Sequence, residues 1–128
     1  MKAAKQISVA MENKRGELEH FCSALAARKV NILAMSVVGS SEQSILRMVV
    51  DRPDAVAEML EESAHITWTT QEVVTAEVPN ESGSMAELSG RLARAGVNIE
   101  YLYGSVIEKG TKSLVVMGVS NVKKALSA

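Results

Sequence analysis

Ile7-Ser8-Val9-Ala10-Met11-Glu12-Asn13-Lys14-Arg15-Gly16-Glu17-Leu18 is the stretch from which the fold can be read. Ile7, Val9 and Met11 alternate with other residues as in a strand buried on one face. Asn13 and Gly16 follow at a spacing suited to a tight turn, since both residue types tolerate positive φ. Beyond the turn, Leu18, Phe21, Cys22, Leu25 and Ala26 recur at helical spacing, which predicts an amphipathic helix ending at Arg28-Lys29.

The same order returns at an offset of 67 positions, which aligns Asn13 with Asn80, Gly16 with Gly83, Leu25-Ala26 with Leu92-Ala93, and Val30-Asn31-Ile32 with Val97-Asn98-Ile99. Val74, Ala76 and Val78 form the second alternating run, and Met85, Leu88, Leu92 and Ala93 the second helical stripe, which ends at Ala95-Gly96. In each copy a second strand is expected from Val30 or Val97. Hairpins follow at Ser40-Ser41-Glu42 and Glu108-Lys109-Gly110, and third strands at Ile45 to Val50 and Ser113 to Val119. Pro53 suits the first turn of a helix carrying Val56, Met59 and Leu60, and its counterpart carries Val122, Ala125 and Leu126.

Strand, helix, strand, strand, helix, strand is the ferredoxin-like order of the α+β class. Residues 1–71 form the expected first module, with Ile66 to Thr70 as its fourth strand, and residues 72–128 the second, which lacks a final strand. A missing strand leaves a sheet edge beside Val73 to Val78, to be covered by another segment or another chain.

With fourteen Lys and Arg against fifteen Asp and Glu, the chain has no surplus charge for a phosphate backbone, which argues against nucleic acid as a partner. The longest uncharged stretch, Val30 to Ser41, is short of the ~20 apolar residues of a membrane span, and a cytoplasmic location is expected. One cysteine and two histidines, His20 and His65, make disulfide, zinc and nucleophilic chemistry poor readings, and no cofactor or metal is expected. His20 reads as a solvated surface residue and His65 as lying in a loop before the fourth strand, Cys22 and the seven methionines as core filling, and Trp68 as packing. Tyr101 and Tyr103 are expected on the same strand face as Ile99.

The opening stretch, continued by Leu25-Ala26-Ala27-Arg28-Lys29-Val30-Asn31-Ile32, resembles the first half of an ACT domain. Glu77-Val78-Pro79-Asn80-Glu81-Ser82-Gly83-Ser84-Met85-Ala86-Glu87-Leu88 with Ala95-Gly96-Val97-Asn98-Ile99-Glu100-Tyr101-Leu102-Tyr103 resembles the stand-alone tandem ACT proteins of bacteria. ACT domains usually carry Pro immediately before the turn glycine, where this chain has Arg15 and Ser82. The resemblance implies a regulatory, non-catalytic protein that binds an amino acid or related metabolite near interfaces between modules, and the open sheet edge of the second module leads to the expectation of a homodimer.

The amides at the start of a helix lack intrahelical partners and the helix dipole favours an anion, so Gly16, Glu17 and Leu18, and Gly83, Ser84 and Met85, are candidate cradles for a ligand carboxylate. By resemblance, Asn13, Asn80, Asn31 and Asn98 match ligand-contact positions, Met11 and Val78 match another that favours an apolar ligand side chain, and Ile32, Ile99 and Tyr101 lie in the matching strings. A second reading is a regulatory subunit similar to the tandem ACT region of aspartate kinases, working only when docked to an enzyme. A third is a small acylphosphatase-like enzyme, whose phosphate loop would depend on Arg15.

Overall fold

The computed structural model describes residues 1–105 and 112–128, so the hairpin expected at Glu108-Lys109-Gly110 lies outside the described residues. The elements are β1 (Lys2–Glu12), α1 (Glu17–Ala27), β2 (Ile32–Ser40), β3 (Gln43–Val50), α2 (Pro53–Glu61), β4 (Thr67–Pro79), α3 (Ser84–Arg94), β5 (Ile99–Ser105), β6 (Lys112–Val119) and α4 (Val122–Leu126). This is the α+β, ferredoxin-like order, and among the described residues no strand follows α4. No described helix is long and apolar enough to cross a membrane.

Two compact units divide the chain: Lys5–Gln71, and Glu72–Ala128 together with Met1–Ala4. They are called here the first and second modules.

In the first module the strands lie in the order β2-β3-β1-β4. β1 and β3 pair antiparallel from Ile7 opposite Met48 to Glu12 opposite Gln43, and β2 pairs with β3 from Ile32 opposite Val50 to Ser40 opposite Gln43. Period-two alternation points Ile7, Val9, Leu46 and Met48 to one face, where they pack with Phe21 and Leu25 of α1 and Val56 and Leu60 of α2. Fully burying a side chain of this size contributes roughly 1.5–3 kcal/mol, which is what holds the helices on the sheet. Trp68 packs against this core, as its reading suggested.

The second module repeats the plan with smaller side chains: Val74, Ala76, Val115 and Met117 from the sheet pack with Leu88 and Leu92 of α3 and Ala125 of α4. Its open edge is filled from the same chain. Met1–Ala4 belongs to this unit, β1 neighbours β4 in the sheet, and the Thr75 hydroxyl reaches the Lys2 carbonyl at 3.4 Å.

Two details differ from the sequence reading. The strand expected to stop at Thr70 runs on through Gln71-Glu72 as one thirteen-residue element, β4, since no Pro or Gly interrupts it. Tyr101 and Tyr103 do not share a face with Ile99, because a bulge shifts the register between Ile99, opposite Val119, and Tyr101, opposite Gly118. The Tyr101 ring lies over Gly118, where an added Cβ would collide with it. The first module has the equivalent irregularity between Ile32 and Ala34.

Candidate functional site

Both first helices of the modules begin in the same way. Gly16 precedes α1 at φ 89° and ψ −13°, and Gly83 precedes α3 at φ 91° and ψ −15°, a left-handed conformation that L side chains adopt only with strain. Neither helix receives a side-chain cap, and an added Cβ at either glycine would meet nothing within 4 Å. Each turn is closed by a backbone bond of 3.3 Å, from the Glu17 amide to Lys14 and from the Ser84 amide to Glu81. The next amides point out of an uncapped helix start, the place where an anion is favoured. Leu18 and Met85, one residue further on, are each 38% exposed although they belong to the apolar stripes. Each turn therefore offers donors, open space above a glycine, and an exposed apolar side chain.

The four asparagines do not converge within a module. The Asn13 amide group donates to the Ser41 carbonyl at 3.1 Å and its backbone N–H to Glu42 at 2.8 Å, so it pins the β2–β3 hairpin. Asn31 lies at the other end of the sheet. Its N–H donates to Asp51 Oδ1 at 2.9 Å and its carbonyl accepts from the Asp51 amide at 3.1 Å. Asn98 repeats this bracket with Ser120 at 3.0 and 2.9 Å. β3 separates the two levels by the span Gln43 to Val50, about 23 Å of strand, several times the length of an amino acid. β6 runs the same span between the levels of Asn80 and Asn98. Val78 is buried in the second core, and Ile32 and Ile99 pack at the edges of theirs.

The first module does gather two of the candidates. Met11 and Glu17 line a cleft of about 400 Å³ where the end of β1 meets the start of α1 and the α2–β4 link. The link contributes His65 and α1 contributes His20 and Phe21. The sequence reads His20 as a solvated surface residue and His65 as a loop residue before the fourth strand, and assigns neither a site role. The ferredoxin-like order held the missing signal, because it sets the start of the fourth strand beside the end of the first. Glu12 also lines the cleft, and the Lys14 ammonium at its rim bridges Glu12 at 3.1 Å and Glu17 at 3.6 Å. The hydrogen bond and charge of Glu12, then the charge of Glu17, hold the Lys14 ammonium pKa above its ordinary value. No group of three or more His, Cys, Asp or Glu among the described residues is arranged to hold a metal ion.

Residues 2–127 match the family described as an ACT domain pair. The crystal structure of protein BT0572 from Bacteroides thetaiotaomicron is similar over 98% of this chain and 85% of that one, with 32% identity and a TM-score of 0.88. The ligand-free regulatory subunit of aspartate kinase from Thermus thermophilus shares the fold at 17% identity and a TM-score of 0.66, over 99% of this chain and 94% of that one. The corresponding subunit from Thermus flavus does so at 16% identity and a TM-score of 0.56, with the same coverage. No curated protein matches the sequence.

Proposed function

Because the chain belongs to the ACT domain pair family, we propose that it is a non-catalytic regulatory protein that binds an amino acid or a closely related metabolite at its strand-to-helix turns. The observation that carries this reading is the duplicated turn. Two uncapped helix starts, each behind a left-handed glycine with open space over it, present backbone donors in the same geometry. Such a site suits a carboxylate, and the exposed Leu18 and Met85 suit an apolar ligand side chain.

Asn13 and Asn31 stand too far apart to serve one ligand inside a module, so a ligand that uses both would be shared with a second copy of the chain. The β2 edge supports such self-association. It is the outer strand of its module, and it exposes Leu33, Val37 and Val38 at 46, 42 and 59% with no charged residue or proline along Ile32–Ser40 to block pairing. Docking of that edge to a separate enzyme is the second reading, and the regulatory subunits of aspartate kinase with the same fold support it.

Two or three charge-assisted hydrogen bonds, less the entropy of immobilising the ligand, correspond to an affinity of roughly micromolar to millimolar. Calorimetric titration with the twenty amino acids is expected to find at least one saturable binder in that range. Folded protein that gives no heat with any of them would overturn the proposal. Light scattering separates the two assembly readings, a dimer mass favouring the homodimer and a monomer mass the docked subunit.

A further inference from the structure

We propose that Met1–Ala4 is a displaceable strap, and that the β4 edge it covers in the second module, Val73 to Val78, is an acceptor for an extended basic segment of a protein partner.

The two modules close their sheets with fourth strands of unequal grip. In the first, the strand that begins at Thr67 is fastened by side chains, since Trp68 and the neighbouring Ile66 both pack against the core. In the second, the place beside β4 is taken by Met1–Ala4. None of these four residues joins the apolar core of the module; Met1, Lys2 and Ala3 are exposed and Ala4 is half-buried. Main-chain pairing holds them to β4, helped by a long hydrogen bond from the Thr75 hydroxyl to the Lys2 carbonyl at 3.4 Å. A strand with so few buried apolar contacts opens locally at a free-energy cost well below that of global unfolding.

Beneath the strap lies a strand that needs cover. Val73 and Val74 are fully buried, and Thr75 and Ala76 are 4 and 6% exposed. When the strap leaves, pairing with β6 still holds one side of β4, while the other side presents a row of main-chain N–H and C=O groups and the Thr75 hydroxyl loses the Lys2 carbonyl. Such an edge accepts a further strand through main-chain hydrogen bonds. Side chains then set the preference. Glu72 and Glu77 stand exposed at the two ends of this stretch, and neither has an ion-pair partner among the described residues. An incoming segment with Lys or Arg is therefore favoured over an acidic one, and the strap's own Lys2 fits that pattern.

Amide hydrogen exchange of the intact chain reads the opening directly. Alternate amides of a central strand point to opposite neighbours, so among Val73 to Val78 one alternating set bonds to β6 and the other faces the strap. The strap-facing set is expected to exchange at least about tenfold faster than the β6-facing set, as local opening requires. Lys2→Pro/Ala3→Pro puts a proline at whichever of two adjacent positions donates to β4, and both side chains are exposed, so the core is left in place. This variant should speed the strap-facing set by about a further tenfold and leave the β6-facing set unchanged. A synthetic peptide with the sequence of Met1–Ser8, added to the variant, should restore slow exchange saturably, and the same peptide with glutamate in place of both lysines should not. Equal protection of the two sets in the unaltered chain would overturn the strap, whether or not the variant folds. Fast strap-facing exchange that neither peptide slows would overturn the acceptor edge, and equal rescue by both peptides would overturn its preference for a basic segment.

Discussion

The starts of α1 and α3 share a backbone and differ in chemistry. Both follow a left-handed glycine at nearly identical angles, both lack a side-chain cap, and both expose an apolar residue at the second helical position. Around the first turn stand Glu12, Glu17 and His20; around the second, Pro79, Ser84 and Glu87. The repeat has therefore kept what φ and ψ require and varied the side chains around it. A second difference lies in the cores, where Ile7, Phe21 and Leu46 of the first module are matched by the smaller Val74, Leu88 and Val115 in the second.

The cores provide the largest test of that comparison. Leu25 and Leu92 are repeat partners, 1% and 0% exposed, and truncation of either to alanine should cost about 3 kcal/mol. Urea unfolding read by Trp68, the only tryptophan, follows the first module, and the only tyrosines, Tyr101 and Tyr103, follow the second. Equal losses would show that the two helices are anchored alike, whereas a much smaller loss for Leu92→Ala would mean that the lighter core relaxes around the cavity.

Next come the glycine turns. Gly16→Ala and Gly83→Ala should each destabilise by roughly 1–2 kcal/mol in thermal or urea unfolding, from backbone strain alone, since an added Cβ meets no neighbour. A marked inequality between them would break the claim that the two turns are the same device.

Helix ends give a smaller and opposite effect. Val30 donates to Leu25 at 3.1 Å and Val97 to Leu92 at 2.9 Å, so α1 and α3 close with the same reversal. The second module uses Gly96 there at φ 76°, while the first places Lys29 at φ 58°. Lys29→Gly is accordingly expected to stabilise the chain by about 0.5–1 kcal/mol, strain relief offsetting the greater freedom of the unfolded glycine. The smallest change is expected at the surface. Arg28 donates to Glu62 at 2.6 Å, but with side chains 35 and 59% exposed, and Glu62→Gln should alter stability by no more than about 0.5 kcal/mol in the same unfolding assay.

Much of this architecture was legible because repeated Asn, Gly and Val-Asn-Ile positions mark places where backbone geometry leaves few choices. What escaped was set by pairing rather than by local pattern. The bulge after Ile99 turns Tyr101 to the other face, and nothing in Ile99-Glu100-Tyr101 announces an extra residue in the ladder. Completion of the second module by Met1–Ala4 brings Lys2 beside Thr75, far along the sequence, which alternation cannot report. His65 reads as a polar loop residue until topology brings its link to the end of β1. Leu18 and Met85 fit their apolar stripes, yet a helix start leaves the first stripe position without a facing layer. For the asparagines, the repeat marked true geometric anchors, and the strand register then showed that Asn13 and Asn31 lie at opposite ends of one sheet.

The central claim is that the duplicated turns bind amino acids, and backbone amide NMR of the intact chain tests it most directly. Titration with the twenty amino acids should produce saturable shifts concentrated at Gly16, Glu17 and Leu18, at Gly83, Ser84 and Met85, or at both turns. Amide signals at both turns that stay fixed through the whole series would contradict it.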